Sequence, residues 1–428
     1  MEFEYKDRII NYAMKTCGYY PLRNMQLWLV DTHFNKAKSV MMNIGAFLKL
    51  SPQIDLSRLA QAINETLNSY DIFRCRLVFH PETNDICQRF DGEVIPVTVE
   101  KISDAEFDRR KKKLLRPYPL INKPLYRIYL FETPTTKYWY ADFYHAIMDG
   151  TSGGILFSRE VDMRYKGKKI SRTPLNYADY ILEELKVSPE ELAEGNKFWC
   201  EMLAGFDEKK HLPPADIEGE DEYKQNYFFV DLKNIRQDYF LKTKKKEHIY
   251  FLAAAMLATA KSAGVKNSIM SWIHNGRYNA QERRLMGPML EQFPISWDFE
   301  KDLTAAEFLN GLEEKINISF EYRRSLGSVY QSGFQDECMT FMFQKSIYVL
   351  PIDNLPNELI DVPKNEWFAA ENTLDVEVHL NTDGIYYLYL DYDASIYSDA
   401  AMQNFAKTFD EIVLQLHDEN ILISKILE

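Results

Sequence analysis

The chain is 428 residues long, 46% hydrophobic and 27% charged, as in a soluble protein that buries the cores of two or three ordinary domains. Its formal net charge of −13 argues against nucleic acid and anionic membrane as partners, because their phosphates would repel it. The five cysteines (Cys17, Cys75, Cys87, Cys200 and Cys338) are scattered, odd in number and without a Cys-x-x-Cys pair, which argues against a zinc site or a disulfide framework.

A reducing compartment follows from that cysteine usage. The first residues are charged and hold no apolar signal core, and the apolar run 249–260 is too short to cross a bilayer. A soluble cytoplasmic protein is expected. Short basic runs at 109–113 and 242–246 read as solvated faces; the alternative is a docking patch for an acidic partner or a phosphorylated carrier.

In chain order, 41–50 reads as a strand. Asp55 then caps a helix whose Leu56, Leu59, Ile63 and Leu67 recur at helical spacing. Residues 73–79 read as a strand, and Asp91-Gly92 turns the chain before a strand at 94–99. A helix is expected over 105–115, then two strands, 125–132 and 137–145, joined by a Pro-Thr-Thr turn. Another helix should follow Gly150, over 152–165. The charged stretch 166–174, ending in proline, is the best candidate linker.

Beyond it, 176–186 and 189–203 look helical and 211–223 reads as loop. A strand at 227–232 precedes an Ala-rich helix, 248–263, closed by Gly264. Strand 267–274 leads into a Gly-Arg turn. Helix 305–322, strands 341–350 and 374–380, a turn at 381–384 and an aromatic strand at 385–391 follow. An amphipathic helix capped by Ser398 runs to 417. Strands and helices mix in both halves, so two α+β lobes of similar build are expected, 1–170 and 171–428.

The candidate chemistry lies in Tyr144-His145-Ala146-Ile147-Met148-Asp149-Gly150. Trp139, Ala141, Phe143 and His145 share one face of their strand, so His145 stands at its end behind an apolar row. Burial there would keep the imidazole neutral, as a general base requires. Asp149 sits where the chain leaves the strand. Gly150 would allow a positive φ or a close backbone approach. On its spacing alone this is a weak motif, and a satisfied core histidine is the plainer reading.

Other segments change that weighting. Tyr20-Pro21-Leu22-Arg23-Asn24-Met25-Gln26-Leu27-Trp28, Asp71-Ile72-Phe73-Arg74-Cys75-Arg76-Leu77 and the run from Tyr118 through Pro124-Leu125-Tyr126-Arg127 precede the motif. Asn275-Gly276-Arg277 through Glu282, Met286-Gly287 and Gln292-Phe293-Pro294-Ile295 follow it. In order and spacing these resemble segments of the condensation-domain superfamily of nonribosomal peptide synthetases, to which chloramphenicol acetyltransferase and other CoA-dependent acyltransferases are related. The chain departs from the family pattern in three places. Tyr144 stands where the first histidine of His-His-x-x-x-Asp-Gly is usual, Gln292 replaces an asparagine, and 323–336 does not read as His-Gln-x-x-Pro-Phe-Glu.

The resemblance implies a free-standing, divergent member with two chloramphenicol acetyltransferase-like lobes, each a mixed sheet with flanking helices, and an active-site tunnel between them. It implies transfer of an acyl group from a phosphopantetheine thioester to an amine or alcohol, with coenzyme A or a carrier protein in trans as donor and no permanently bound cofactor or metal. His145 would be the general base. Asp149 would be a structural brace paired with an arginine, Arg277 first and Arg23 or Arg127 as alternatives. Trp272, Asn275 and the backbone near Gly150 are the candidate oxyanion donors. Gly153 would let an acyl chain or pantetheine approach, or pack the helix. Two other readings remain: an epimerase of carrier-bound aminoacyl groups, and a non-catalytic module that recruits a carrier or partner protein.

Overall fold

The computed structural model describes residues 18–35, 39–170, 175–204, 212–218, 223–327, 329, 339–345, 351–361, 373–381 and 383–428. The described residues fall into two compact units. The first lies within Met1–Lys186, Asn275–Leu290 and Ile347–Ala369, the second within Val187–His274, Glu291–Ser346 and Ala370–Glu428. Each is a mixed sheet with flanking helices, the α+β build expected from the sequence. Three stretches from beyond residue 170 belong to the first unit: the chain up to Lys186, Asn275–Leu290 and Ile347–Ala369. Among the described residues no helix is long and apolar enough to cross a membrane.

The first unit opens with α1 (Asn24–Asn35), β1 (Asn43–Leu50) and α2 (Leu56–Ser69). Asp55 caps α2 by accepting from the Ser57 and Arg58 amides, and Leu56, Leu59, Ile63 and Leu67 form its buried stripe. A hairpin of β2 (Arg76–Phe79) and β3 (Ile86–Arg89) follows, then β4 (Val99–Lys101), α3 (Asp104–Lys111), β5 (Tyr126–Glu132) and β6 (Lys137–Tyr144). The unit continues with α4 (Ser158–Tyr165) and α5 (Tyr177–Glu184). Its five-stranded sheet runs Asn357–Leu359, β1, β6, β5, β4, parallel only between β4 and β5.

Two expected strands differ. Residues 71–74 form a 3-10 turn, so the strand starts at Arg76. The stretch 94–98 stays out of the sheet because Pro96 lacks a donor, and side chains take the amides around it. Ile95 N donates to the Tyr126 hydroxyl and Val97 N to Asn64 Oδ1, both at 2.7 Å.

The second unit begins with α6 (Pro189–Leu203), whose Ser188–Glu191 capping box holds its start. Its six-stranded sheet takes β7 (Gln225–Arg236), β8 (Asn267–His274), β9 (Glu291–Asp298), β10 (Thr340–Lys345), β11 (Leu374–Leu380) and β12 (Ile385–Asp393). The spatial order is β7, β12, β11, β10, β8, β9, with β10 parallel to both its neighbours. Its helices include α7 (Glu247–Ala263), buried along the whole of 249–260, α8 (Ala305–Glu321) and α9 (Asp399–Gln415), whose N-cap is Ser398.

The strand β9 carries Pro294 opposite Ser271, which its position at the sheet edge permits. Residues 346–350 of the expected strand, 171–174 of the expected linker and most of 323–336 lie outside the described residues, as do Cys17 and Cys338.

Candidate active site

The end of β6 separates two neighbouring side chains. Alternation turns Tyr144 away from the face of Phe143, toward α1. Its hydroxyl donates to the Leu29 carbonyl at 2.9 Å and its ring packs on His33 and Tyr118. Tyr144 is fully buried, and burial raises its pKa. Its side chain fills the core.

His145 lies in the turn that follows. Its amide donates to the Met42 carbonyl at 2.8 Å, and Ile147 N to the Tyr144 carbonyl at 2.9 Å, so backbone bonds fix its place. The residue is partly exposed, while Nδ1 is buried and has no hydrogen-bond partner among the described residues. Burial lowers the imidazole pKa below its ordinary value; the charge of Asp149 and the carbonyls of the turn oppose this less strongly. The ring is thus neutral at neutral pH.

Asp149 is 2% exposed and its carboxylate is fully engaged. Oδ1 accepts from Ser152 N at 2.7 Å and Arg277 Nη2 at 3.1 Å, and Oδ2 from Arg277 Nη1 and Met289 N, both at 2.8 Å. Burial alone would raise its pKa, but the charge of Arg277 and these hydrogen bonds outweigh it and hold the carboxyl below its ordinary value.

Of the three candidate arginines, Arg277 is the one that meets Asp149. Arg23 forks onto Glu184 at 2.5 and 2.8 Å, and Arg127 pairs with Asp142 at 3.1 Å beneath the Tyr118 ring.

The loop after β8 is built to present Arg277. Asn275 accepts from the Arg277 backbone amide through its side-chain oxygen at 3.1 Å and from Arg277 Nη1 through its carbonyl at 2.8 Å, so it holds both the turn and the guanidinium. Gly276 sits at φ +63°, where an added Cβ would lie 1.6 Å from the Met289 carbonyl oxygen. Glu282 closes the turn by accepting from Tyr278 N at 2.7 Å and Asn279 N at 3.1 Å. Ser152 ties the assembly together, accepting from Arg277 Nη2 at 2.6 Å and Gly287 N at 3.0 Å while donating to the Gly287 carbonyl at 2.8 Å.

Gly150 needs a correction. Its φ is −57° and ψ −39°, and an added Cβ would meet nothing within 4 Å. It therefore serves neither a positive φ nor a close backbone approach; it leaves open space beside the turn. The segment Thr151–Phe157 is a π-helix rather than the expected first turns of an α-helix, with α4 following. Gly153 is a packing glycine: its Cβ would stand 3.3 Å from Met148 Cγ and about 4 Å from the Phe143 ring.

Trp272 belongs to the second unit. It is 1% exposed on β8, parallel to the His248 ring and packed among Phe293 and Phe320. That is the environment of a core residue. Burial lowers the pKa of His248 to about 4.

The residues that sequence reasoning missed are Ser152 and Met289, whose amides complete the ring of donors on Asp149. The spacing Asp149-x-x-Ser152 is that of a helix cap and could have exposed the first of them. No local pattern marks the second.

Comparison with known proteins gives one family. A family model described as Condensation domain matches residues 17–420. Surfactin synthase subunit 2 of Bacillus subtilis (strain 168) is 23% identical over 309 residues, covering 70% of this chain and 8% of that protein. Tyrocidine synthase 3 of Brevibacillus parabrevis is 21% identical over 322 residues, 72% of this chain and 5% of that protein. The chain thus spans a small part of the length of these relatives.

Among solved structures, the condensation domain from Monacolin K polyketide synthase MokA superposes with a TM-score of 0.75 at 14% identity, covering 95% of this chain and 99% of that one. The epimerization domain from the third module of tyrocidine synthetase B does so with a TM-score of 0.72 at 16% identity, covering 96% and 97%. At such identities the likeness concerns the fold.

Proposed function

This chain belongs to the condensation-domain family, and on that premise we propose that it transfers an acyl group from a phosphopantetheine thioester to an amine or alcohol, with His145 as general base. The donor is coenzyme A or a carrier protein. The observation that carries the proposal is the state of His145. Its backbone is anchored on both sides, its pKa is lowered by burial, and the nearby carboxylate is committed to other partners.

A neutral imidazole can take the proton of the attacking amine or hydroxyl as the new bond forms at the thioester carbonyl. The tetrahedral intermediate then collapses, the C–S bond breaks and the leaving thiolate takes the proton held by the imidazolium, which restores the neutral base. A carboxylate free to bond the imidazolium would raise its pKa and hold the proton; Asp149, saturated by Arg277, Ser152 N and Met289 N, is withheld from that role. Tyr144 has no part in this chemistry, so the loss of the family's first histidine does not bear on it.

The test is thiol release from acyl-CoA and acyl-carrier donors in the presence of pooled amines and alcohols. His145→Ala should lose about 10²–10⁴-fold in turnover with its unfolding curve unchanged. Equal turnover by wild type and mutant would remove His145 from the mechanism. A wild type that binds a carrier stably but releases no thiol would favour the recruiting module instead.

A further inference from the structure

The hairpin β2–β3 has no part in the acyl-transfer reading, yet a cleft of about 400 Å³ opens beside it in the first unit. Its lining includes Tyr19, Arg76, Phe79, Arg89, Ile121 and Asn122. The two arginines are held in different ways.

Arg76 is 7% exposed. Its Nη1 donates to the Cys75 carbonyl at 2.8 Å and its Nη2 to the Glu93 carbonyl at 2.5 Å. Among the described residues no carboxylate lies within ion-pair distance of it. Carbonyls satisfy its N–H groups, while Asp91 and Glu93 act on its positive charge only through space and not in a direct pair, a costly arrangement for a buried cation. Burial accordingly depresses its pKa. The guanidinium is also locked in place: a Cβ on Gly92 would fall 2.6 Å from its Cζ, so the backbone there lies flat against the fork.

Arg89 stands on the facing strand, opposite Arg76 in the register. It pairs with Asp91 and donates from Nη1 to the Tyr19 hydroxyl at 3.2 Å. Its Nε is buried and has no hydrogen-bond partner among the described residues. Of the two cations and the carboxylate Asp91 that line the cleft, one positive charge is left over, together with an unused N–H donor. The rest of the wall combines the polar Asn122 and the Tyr19 ring with an apolar part, Val78, Ile121 and Phe79, a ring left 49% exposed. On a chain of net charge −13 this is a local reversal of sign.

We infer that the cleft is a binding site for a small oxyanion, a phosphate or a carboxylate, carried on an apolar group. Planar guanidinium forks match the oxygens of such groups, and the apolar wall accommodates the body that bears them. The inference stands apart from acyl transfer and does not depend on it.

Calorimetric titration of the full chain with phenyl phosphate, benzoate and phenol tests it. At least one of the two anions should saturate a single site, while phenol, of the same shape but neutral, should not. Which anion binds more tightly separates phosphate from carboxylate. Arg89→Gln should weaken that binding by at least about tenfold, the worth of one charged hydrogen bond. Asp91→Asn, which removes the competing carboxylate, should tighten it.

Arg76→Gln should abolish binding; if that variant loses cooperative unfolding, Arg89→Gln and Asp91→Asn decide. No saturable binding of either anion, phenol binding as tightly as the anions, or affinities unmoved by Arg89→Gln would overturn the inference.

Discussion

Replacing Arg277 by alanine probes the brace under His145 most directly. The pair it breaks is buried on both sides, with side-chain exposures of 1% for Arg277 and 3% for Asp149. Breaking one partner of such a pair costs about 3–5 kcal/mol, because a buried charge is left without its counter-charge. In Arg277→Ala the carboxylate keeps only the Ser152 and Met289 amides. In Asp149→Ala the guanidinium keeps Ser152 Oγ and the Asn275, Leu285 and Gly287 carbonyls but no counter-charge.

Each single mutant should therefore lose about 3–5 kcal/mol. The double mutant should lose less than their sum by about 2 kcal/mol, since the second change removes an orphaned charge rather than an intact pair. Hydrogen exchange over residues 137–160 in increasing urea would read the loss where it occurs.

The pH dependence has a definite sign. The folded pKa of Asp149 is depressed, so its stabilisation is present above the ordinary carboxylate value and is lost as pH falls through the depressed one. The acid limb of stability should flatten in Arg277→Ala. Strict additivity of the two single losses, with an unchanged acid limb, would refute the direct pair.

The other expectations are narrower. For wild type, kcat/KM should fall on the acid side with an apparent pKa below the ordinary histidine value of about 6.5, because burial disfavours the imidazolium; a limb at or above that value would contradict the neutral base. Gly150→Ala should leave stability within about 0.5 kcal/mol, as its φ is ordinary and its Cβ meets open space, and a large loss in thermal unfolding would contradict that geometry. Tyr144→Phe should cost about 1 kcal/mol by removing a buried hydrogen bond to the Leu29 carbonyl and leave turnover untouched; a drop in kcat at unchanged stability would return Tyr144 to the site.

Asp142 offers the opposite sign to Asp149. Burial lifts its folded pKa to about 6 despite Arg127, so its contribution is greatest below the unfolded pKa of about 4 and is lost as pH rises through about 6. Urea midpoints measured across that interval should lose their pH dependence in Asp142→Asn.

The elements governed by local periodicity could be read from the residues alone. Helix α2 declares itself through Asp55 and the spacing of Leu56, Leu59, Ile63 and Leu67, and β6 through its aromatic run, because helix and strand periods are properties of neighbouring residues. The motif around His145 was legible for the same reason, and the accompanying segments tied it to its family. Pro96 shows where such reading stops: 94–99 has the composition of a strand, but whether its amides find a sheet or the Tyr126 hydroxyl and Asn64 side chain depends on what folds beside it.

At the site, the sequence determined which residue types were present and only the fold decided what each does. Tyr144 and His145 are adjacent, yet one faces the core and the other the turn, because the strand ends between them. Gly150 occupies the expected place but serves open space rather than an unusual φ. Arg23, Arg127 and Arg277 were all candidates for Asp149; the family resemblance put Arg277 first, while residue type alone did not distinguish them. Arg277, 128 positions away, won because Gly276 and Asn275 turn it inward, while Glu184 and Asp142 claim the other two. A charge partner is fixed by proximity in space, and proximity between residues so far apart in the chain exists only after the tertiary structure has formed.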